Sequence, residues 1–221
     1  MPVEPITVEG PAGPLSADLT RPDRSRAALL LAHGAGAGYR HATMVALGEA
    51  LARVDVATLR FNFPFTEAGR RRVDAPATAQ AAVVAAAGVL AARCPDVPLC
   101  VGGHSFGGRM ASHALADGLV DARALICTSF PLHPAQRPGT ERAAHLSRIE
   151  VPMLFVSGTR DALAGRDLLA GVVADLGGRA TLHWLEDADH GYRARKRVRQ
   201  DPRPVFDELA EAVAGFLDRV L

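Results

Sequence analysis

Six short runs that place apolar residues on both faces and end in polar or turn residues limit what this chain of 221 residues can fold into. They lie at 27–32, 56–63, 99–103, 124–129, 153–157 and 180–185. Strands that are apolar throughout are buried on both faces, which is the mark of a parallel sheet. Between the runs, stretches with helical spacing occupy 43–53, 75–93, 106–117, 166–176 and 204–221. Helices alternating with such strands, joined by right-handed crossovers, predict a doubly wound, mostly parallel α/β sheet. Ahead of them, 6–9 and 15–20 flank Gly10-Pro11-Ala12-Gly13-Pro14 and predict an antiparallel hairpin. No repeat, linker or composition break divides the chain, so a single domain over 1–221 is expected.

Ligands of such sheets bind beyond the carboxyl ends of the strands. The run 99–103 ends in Gly103-His104-Ser105-Phe106-Gly107, and a helical pattern starts at once. This is a G-x-S-x-G elbow in its proper setting, a strand turning sharply into a helix. The turn strains the serine backbone and requires small residues two positions to either side. The competing reading is a tight connection whose serine merely caps the helix.

A serine hydroxyl attacks only when a base removes its proton, and an imidazole base needs a carboxylate to fix its tautomer. Downstream, 153–157 runs into Gly158-Thr159-Arg160-Asp161, and 180–185 into Glu186-Asp187-Ala188-Asp189-His190-Gly191. Both segments leave carboxyl ends of strands, so Asp161 is the candidate acid and His190 the candidate base. Asp167, Asp187 and Asp189 are the rival acids, placed less well or too near His190. The run 27–32 ends in His33-Gly34-Ala35-Gly36, a loop suited to an oxyanion donor. The Ala35 N–H and the Phe106 N–H form the candidate pair.

Further motifs add to these: Arg60-Phe61-Asn62-Phe63-Pro64-Phe65, Gly69-Arg70-Arg71, Gly107-Gly108-Arg109 and Phe130-Pro131-Leu132-His133-Pro134. Together they span nearly the whole chain. They resemble the bacterial dienelactone-hydrolase-like branch of the α/β-hydrolases. Its animal relatives are a testis-expressed protein and the third subunit of the nonspecific-lethal chromatin complex. The resemblance implies an α/β-hydrolase fold with a hydrolytic Ser-His-Asp triad. It does not carry over dienelactone hydrolysis, whose enzymes use cysteine where Ser105 stands. The segment 131–150 is too short for a cap domain, which predicts an open site for small substrates. Arg60, Asn62, Phe63 and His133 close strands near the catalytic layer and are the candidate pocket residues. Arg60 and Asn62 equally suit a role in satisfying loop backbone groups.

Composition narrows the function classes. A net charge of +1 gives no global field for nucleic acid or an anionic membrane. Among 25 basic residues only Lys196 is lysine, and alanine is abundant, which suggests a bacterial coding bias. Arg193, Arg195, Lys196, Arg197 and Arg199 form a basic stretch, read as a solvated face or as an anion contact. The three cysteines, Cys94, Cys100 and Cys127, are widely spaced and fit a reducing compartment. The N-terminus lacks the basic and apolar regions of a signal peptide, and no long apolar run offers a membrane span. A cytoplasmic protein is expected, acting on a small acyl substrate with no nucleic acid or membrane partner, no metal and no cofactor. The alternative is an interaction module that has kept the fold without the chemistry.

Overall fold

The computed structural model describes residues 2–195 and 197–221. One eight-stranded sheet runs through it in the order β1-β2-β4-β3-β5-β6-β7-β8. Val3–Gly10 (β1) and Gly13–Thr20 (β2) form the expected hairpin, and β2 joins the sheet antiparallel to Val56–Phe61 (β4). Ala27–Ala32 (β3), Leu99–His104 (β5), Ala124–Thr128 (β6), Met153–Gly158 (β7) and Ala180–Leu185 (β8) then run parallel to β4. Side chains of β3–β7 are almost wholly buried because helices cover both faces. Ala42–Arg53 (α1) and Val205–Val220 (α6) close one face around Leu29, Leu31, Ile126, Leu154 and Phe216. Pro76–Arg93 (α3), Phe106–Ala116 (α4) and Arg166–Asp175 (α5) close the other around Leu30, Val101, Met110 and Phe155. Each large apolar side chain buried in this way contributes about 1.5–3 kcal/mol.

The strand expected over 56–63 ends at Phe61. Asn62 N–H turns back to the Ser16 carbonyl, and Pro64 opens a four-residue helix, Pro64–Glu67 (α2). That helix is too short to leave a periodic signal. The segment 131–150 holds a 3-10 turn, Glu141–Arg148, and no cap. The sequence reading found no apolar run of membrane-spanning length. By length and composition, however, α3 is long and apolar enough to cross a bilayer. Its buried Ala79, Ala82, Val83, Ala86, Ala87 and Leu90 make it a core helix here.

Candidate active site

The sheet brings three strand ends to one place. Register pairs His104 with Thr128 across β5 and β6, and Gly158 with Leu185 across β7 and β8. Ser105 therefore leaves β5 in the layer where the loops carrying Asp161 and His190 begin side by side.

The elbow carries the strain its sequence implies. Ser105 sits at φ 53° and ψ −117°, a region that non-glycine residues rarely occupy. A Cβ on Gly103 or Gly107 would run into the Ala32 carbonyl, so only glycine lets β5 and α4 approach β3 this closely. The turn leaves the Ser105 side chain partly exposed at the head of α4, whose first N–H groups face the same space.

His190 joins the two other groups. Its Nε2 lies 2.8 Å from Ser105 Oγ, and its Nδ1 lies 2.8 and 2.9 Å from the Asp161 carboxylate oxygens. An ionised carboxylate only accepts, so Nδ1 carries the proton and Nε2 is left to accept from the serine hydroxyl. Asp161 is buried and also accepts from the Leu163 N–H at 2.8 Å.

The loop after β3 passes directly against the serine: a Cβ on Gly34 would lie 3.5 Å from Ser105 Cβ. His33 is fully buried and holds this loop. Its Nδ1 donates to the Gly34 carbonyl at 2.7 Å, while Nε2 accepts the Phe63 N–H at 3.1 Å. Burial lowers its pKa to about 4, so the ring stays neutral. Phe63, Phe65 and Phe106 pack edge-on or stacked beside it. Among the described residues, no backbone carbonyl accepts the Ala35 or Phe106 N–H.

A family model for the alpha/beta hydrolase domain matches residues 25–218. The chain belongs to the α/β-hydrolase family. A lidless α/β serine hydrolase from Xanthomonas campestris superposes with a TM-score of 0.75 at 20% identity, covering 100% of this chain and 97% of its own. A dienelactone hydrolase from Anabaena variabilis gives 0.74 at 18%, covering 100% and 98%. The esterase domain of a Rhodothermus marinus protein gives 0.73 at 19%, covering 99% of each. At these identities the likeness is one of fold.

The sequence-derived pocket residues of this α/β-hydrolase lie around the site, engaged with other partners. Arg60 is buried against α1, donating to the Tyr39 carbonyl at 3.2 Å with Asp18 3.8 Å away. Asn62 accepts the Tyr39 N–H and donates to Glu67, both at 3.0 Å. Phe63 belongs to the aromatic cluster behind the His33 loop. His133 spans two loops: its N–H donates to the Leu163 carbonyl, Nε2 accepts the Gly165 N–H, and Nδ1 donates to the Pro134 carbonyl. These four residues brace the loops around Ser105.

Sequence reasoning weighed Asp187 only as a rival acid. It is buried at φ 53° and takes the Arg195 guanidinium and N–H, with Arg160 3.4 Å away. The Arg195 hydrogen bond, above all, holds its carboxyl down to about 2. The pair closes the loop that presents His190, helped by the bridge between Ala188 and Ala194. Arg199 is likewise engaged with Glu208. Two members of the basic stretch are thus internal ion pairs, while Lys196 lies outside the described residues. Tyr192 anchors the same loop, buried at φ 66° with its hydroxyl 3.3 Å from the Val156 carbonyl. Periodicity carries no signal for such loop contacts. A surplus of arginine beside an aspartate was the only sequence clue.

Proposed function

We propose that this α/β-hydrolase cleaves a small ester, thioester or related acyl bond through an acyl-enzyme on Ser105. The observation that carries the reading is one imidazole within 2.8 Å of both a strained serine and a buried aspartate. In the first half-reaction Ser105 Oγ bonds to the carbonyl carbon while its proton passes to His190 Nε2. Asp161 stabilises the imidazolium through Nδ1–H. The carbonyl oxygen becomes an oxyanion held by the N–H groups of Ala35 and Phe106. Losing one such donor typically lowers turnover about 10²–10³-fold. The tetrahedral centre then collapses, and the leaving oxygen or sulfur takes the proton from Nε2. In the second half water attacks the acyl-enzyme, passing its proton to His190 and thence to Ser105.

The named activities of the Xanthomonas, Anabaena and Rhodothermus proteins are compatible with acyl transfer of this kind. The direct assay is hydrolysis of nitrophenyl acetate by wild type and Ser105→Ala. Turnover by wild type alone supports the reading. Equal turnover by both, or inertness of both across a series of acyl lengths, would favour an interaction module.

A further inference from the structure

Most arginines that leave the solvent in this chain have a carboxylate or carbonyl to meet: Arg26 has Asp218, Arg60 has Tyr39 and Arg199 has Glu208. Arg109 and Arg142 are the partly buried exceptions, with no acceptor for either guanidinium among the described residues. They come from elements that pack on each other, α4 and the 3-10 turn Glu141–Arg148. Arg109 sits one turn into α4, its N–H donating to the Ser105 carbonyl at 3.1 Å. A helical side chain leans toward the helix N-terminus, so Arg109 covers the turn that begins at Ser105. Arg142 comes from the 3-10 turn Glu141–Arg148. That turn is fixed against α4 by the contact of Ser112 Oγ with His145 Nε2 at 2.7 Å. His113 and His145 add to it by stacking at 3.6 Å. The carboxylate at this interface is already engaged, since Asp117 accepts from Arg148 and Gln80. Burial first, and then Arg142, push the Arg109 guanidinium down from its ordinary value.

Two cations partly withdrawn from water without a counter-charge are unfavourable unless an anion meets them. We propose that Arg109 and Arg142 form a carboxylate-binding subsite beside Ser105, and that the substrate is an ester or thioester bearing an anionic group near the scissile bond. This inference rests on the assignment of Ser105 as nucleophile and adds the substrate class. A planar guanidinium can grip a carboxylate through two parallel hydrogen bonds, which orients the scissile carbonyl as well as binding it.

The test compares matched esters on the same protein preparation. The half-ester nitrophenyl glutarate is set against nitrophenyl valerate, placing the charge on the acyl side. Acetoxyphenylpropanoate is set against propylphenyl acetate, placing it on the leaving group. In at least one pair the anionic ester has a kcat/KM higher by about tenfold or more, the worth of one charge-assisted hydrogen bond. That ratio falls toward one in Arg109→Gln and in Arg142→Gln, and Arg109→Lys keeps part of it. Because it is a ratio, the fraction of folded protein cancels. Neutral esters turned over as well as anionic ones in both pairs overturn the subsite and leave the hydrolase standing. So does a preference that survives in the double variant. Failure of wild type to cleave any of the four esters overturns both.

Discussion

The loops that present Asp161 and His190 lie side by side but are held by opposite physics. The Asp161 loop is fixed by buried hydrogen bonds to the backbone: the neutral contacts of His133 with Leu163 and Gly165, and the Leu163 N–H on the Asp161 carboxylate. The His190 loop is fixed by charge, with Arg195 closing on Asp187 and Arg160 beside it. Arg195 is 61% exposed at its side chain, so salt reaches this clamp, whereas His133 is only 4% exposed. The difference suits the roles proposed for the two residues. An acid that orients an imidazole and stabilises its cation gains from immobility. A base that carries a proton between serine, leaving group and water gains from a hold that can relax.

Removing the groups themselves has the largest effect. Asp161→Asn lowers kcat by about 10⁴-fold, because the amide favours the wrong imidazole tautomer. Steady-state assays on folded variant check this, and a loss below tenfold would return Asp187 or Asp189 to contention. Breaking the neutral clamp comes next. His133→Ala loosens the Asp161 loop and lowers kcat by about 10²-fold, the scale of a displacement of about 1 Å. Its rate keeps the salt dependence of wild type, because the Asp187–Arg195 clamp is untouched. A His133→Ala defect confined to KM would instead put His133 in contact with substrate.

The charged clamp gives a smaller effect of a different kind. Arg195→Gln lowers kcat/KM by about fivefold or less, as expected for a pair exposed on one side. Wild-type activity falls toward the variant's level as salt rises to about 1 M, where the screening length is about 3 Å. The variant responds little. Equal salt profiles would show that the Asp187–Arg195 pair does not govern the His190 loop.

Acid separates the regions once more, through stability. Burial lowers His33 and His145 to about 4 and His104 to about 3. The unfolded chain protonates these rings near 6.5 while the native state refuses the proton. The unfolded state therefore binds more protons between these values, and stability declines as pH falls from about 6.5 toward 4. Each ring contributes a slope of at most about 1.4 kcal/mol per pH unit. Urea unfolding at pH 7 and pH 5 measures the decline, and His145→Gln makes it shallower. The Asp187 carboxyl, held down to about 2, keeps its charge throughout this range.

How much was legible follows the same division. Strands β3 to β7 could be read because burial on both faces writes apolar runs, and the half-buried edge strand β8 matched its expected limits of 180–185. The elbow could be read because backbone strain and close approach demand glycines at fixed offsets. Asp161 and His190 were legible only as residues following strand ends, and the parallel register brings those ends together. The clamps were not legible. His133 to Gly165 and Asp187 to Arg195 join loop residues whose partners obey no period, and polar loop residues read alike whether they brace a loop or bind a substrate. Arg60 and Asn62 were open to both readings for the same reason.

The most direct test of the central claim is intact-mass spectrometry of the native protein after treatment with a fluorophosphonate, followed by peptide mapping. The account predicts a single adduct on Ser105 that is lost in His190→Ala. No adduct, or one that persists undiminished without His190, would contradict an activated serine at this elbow.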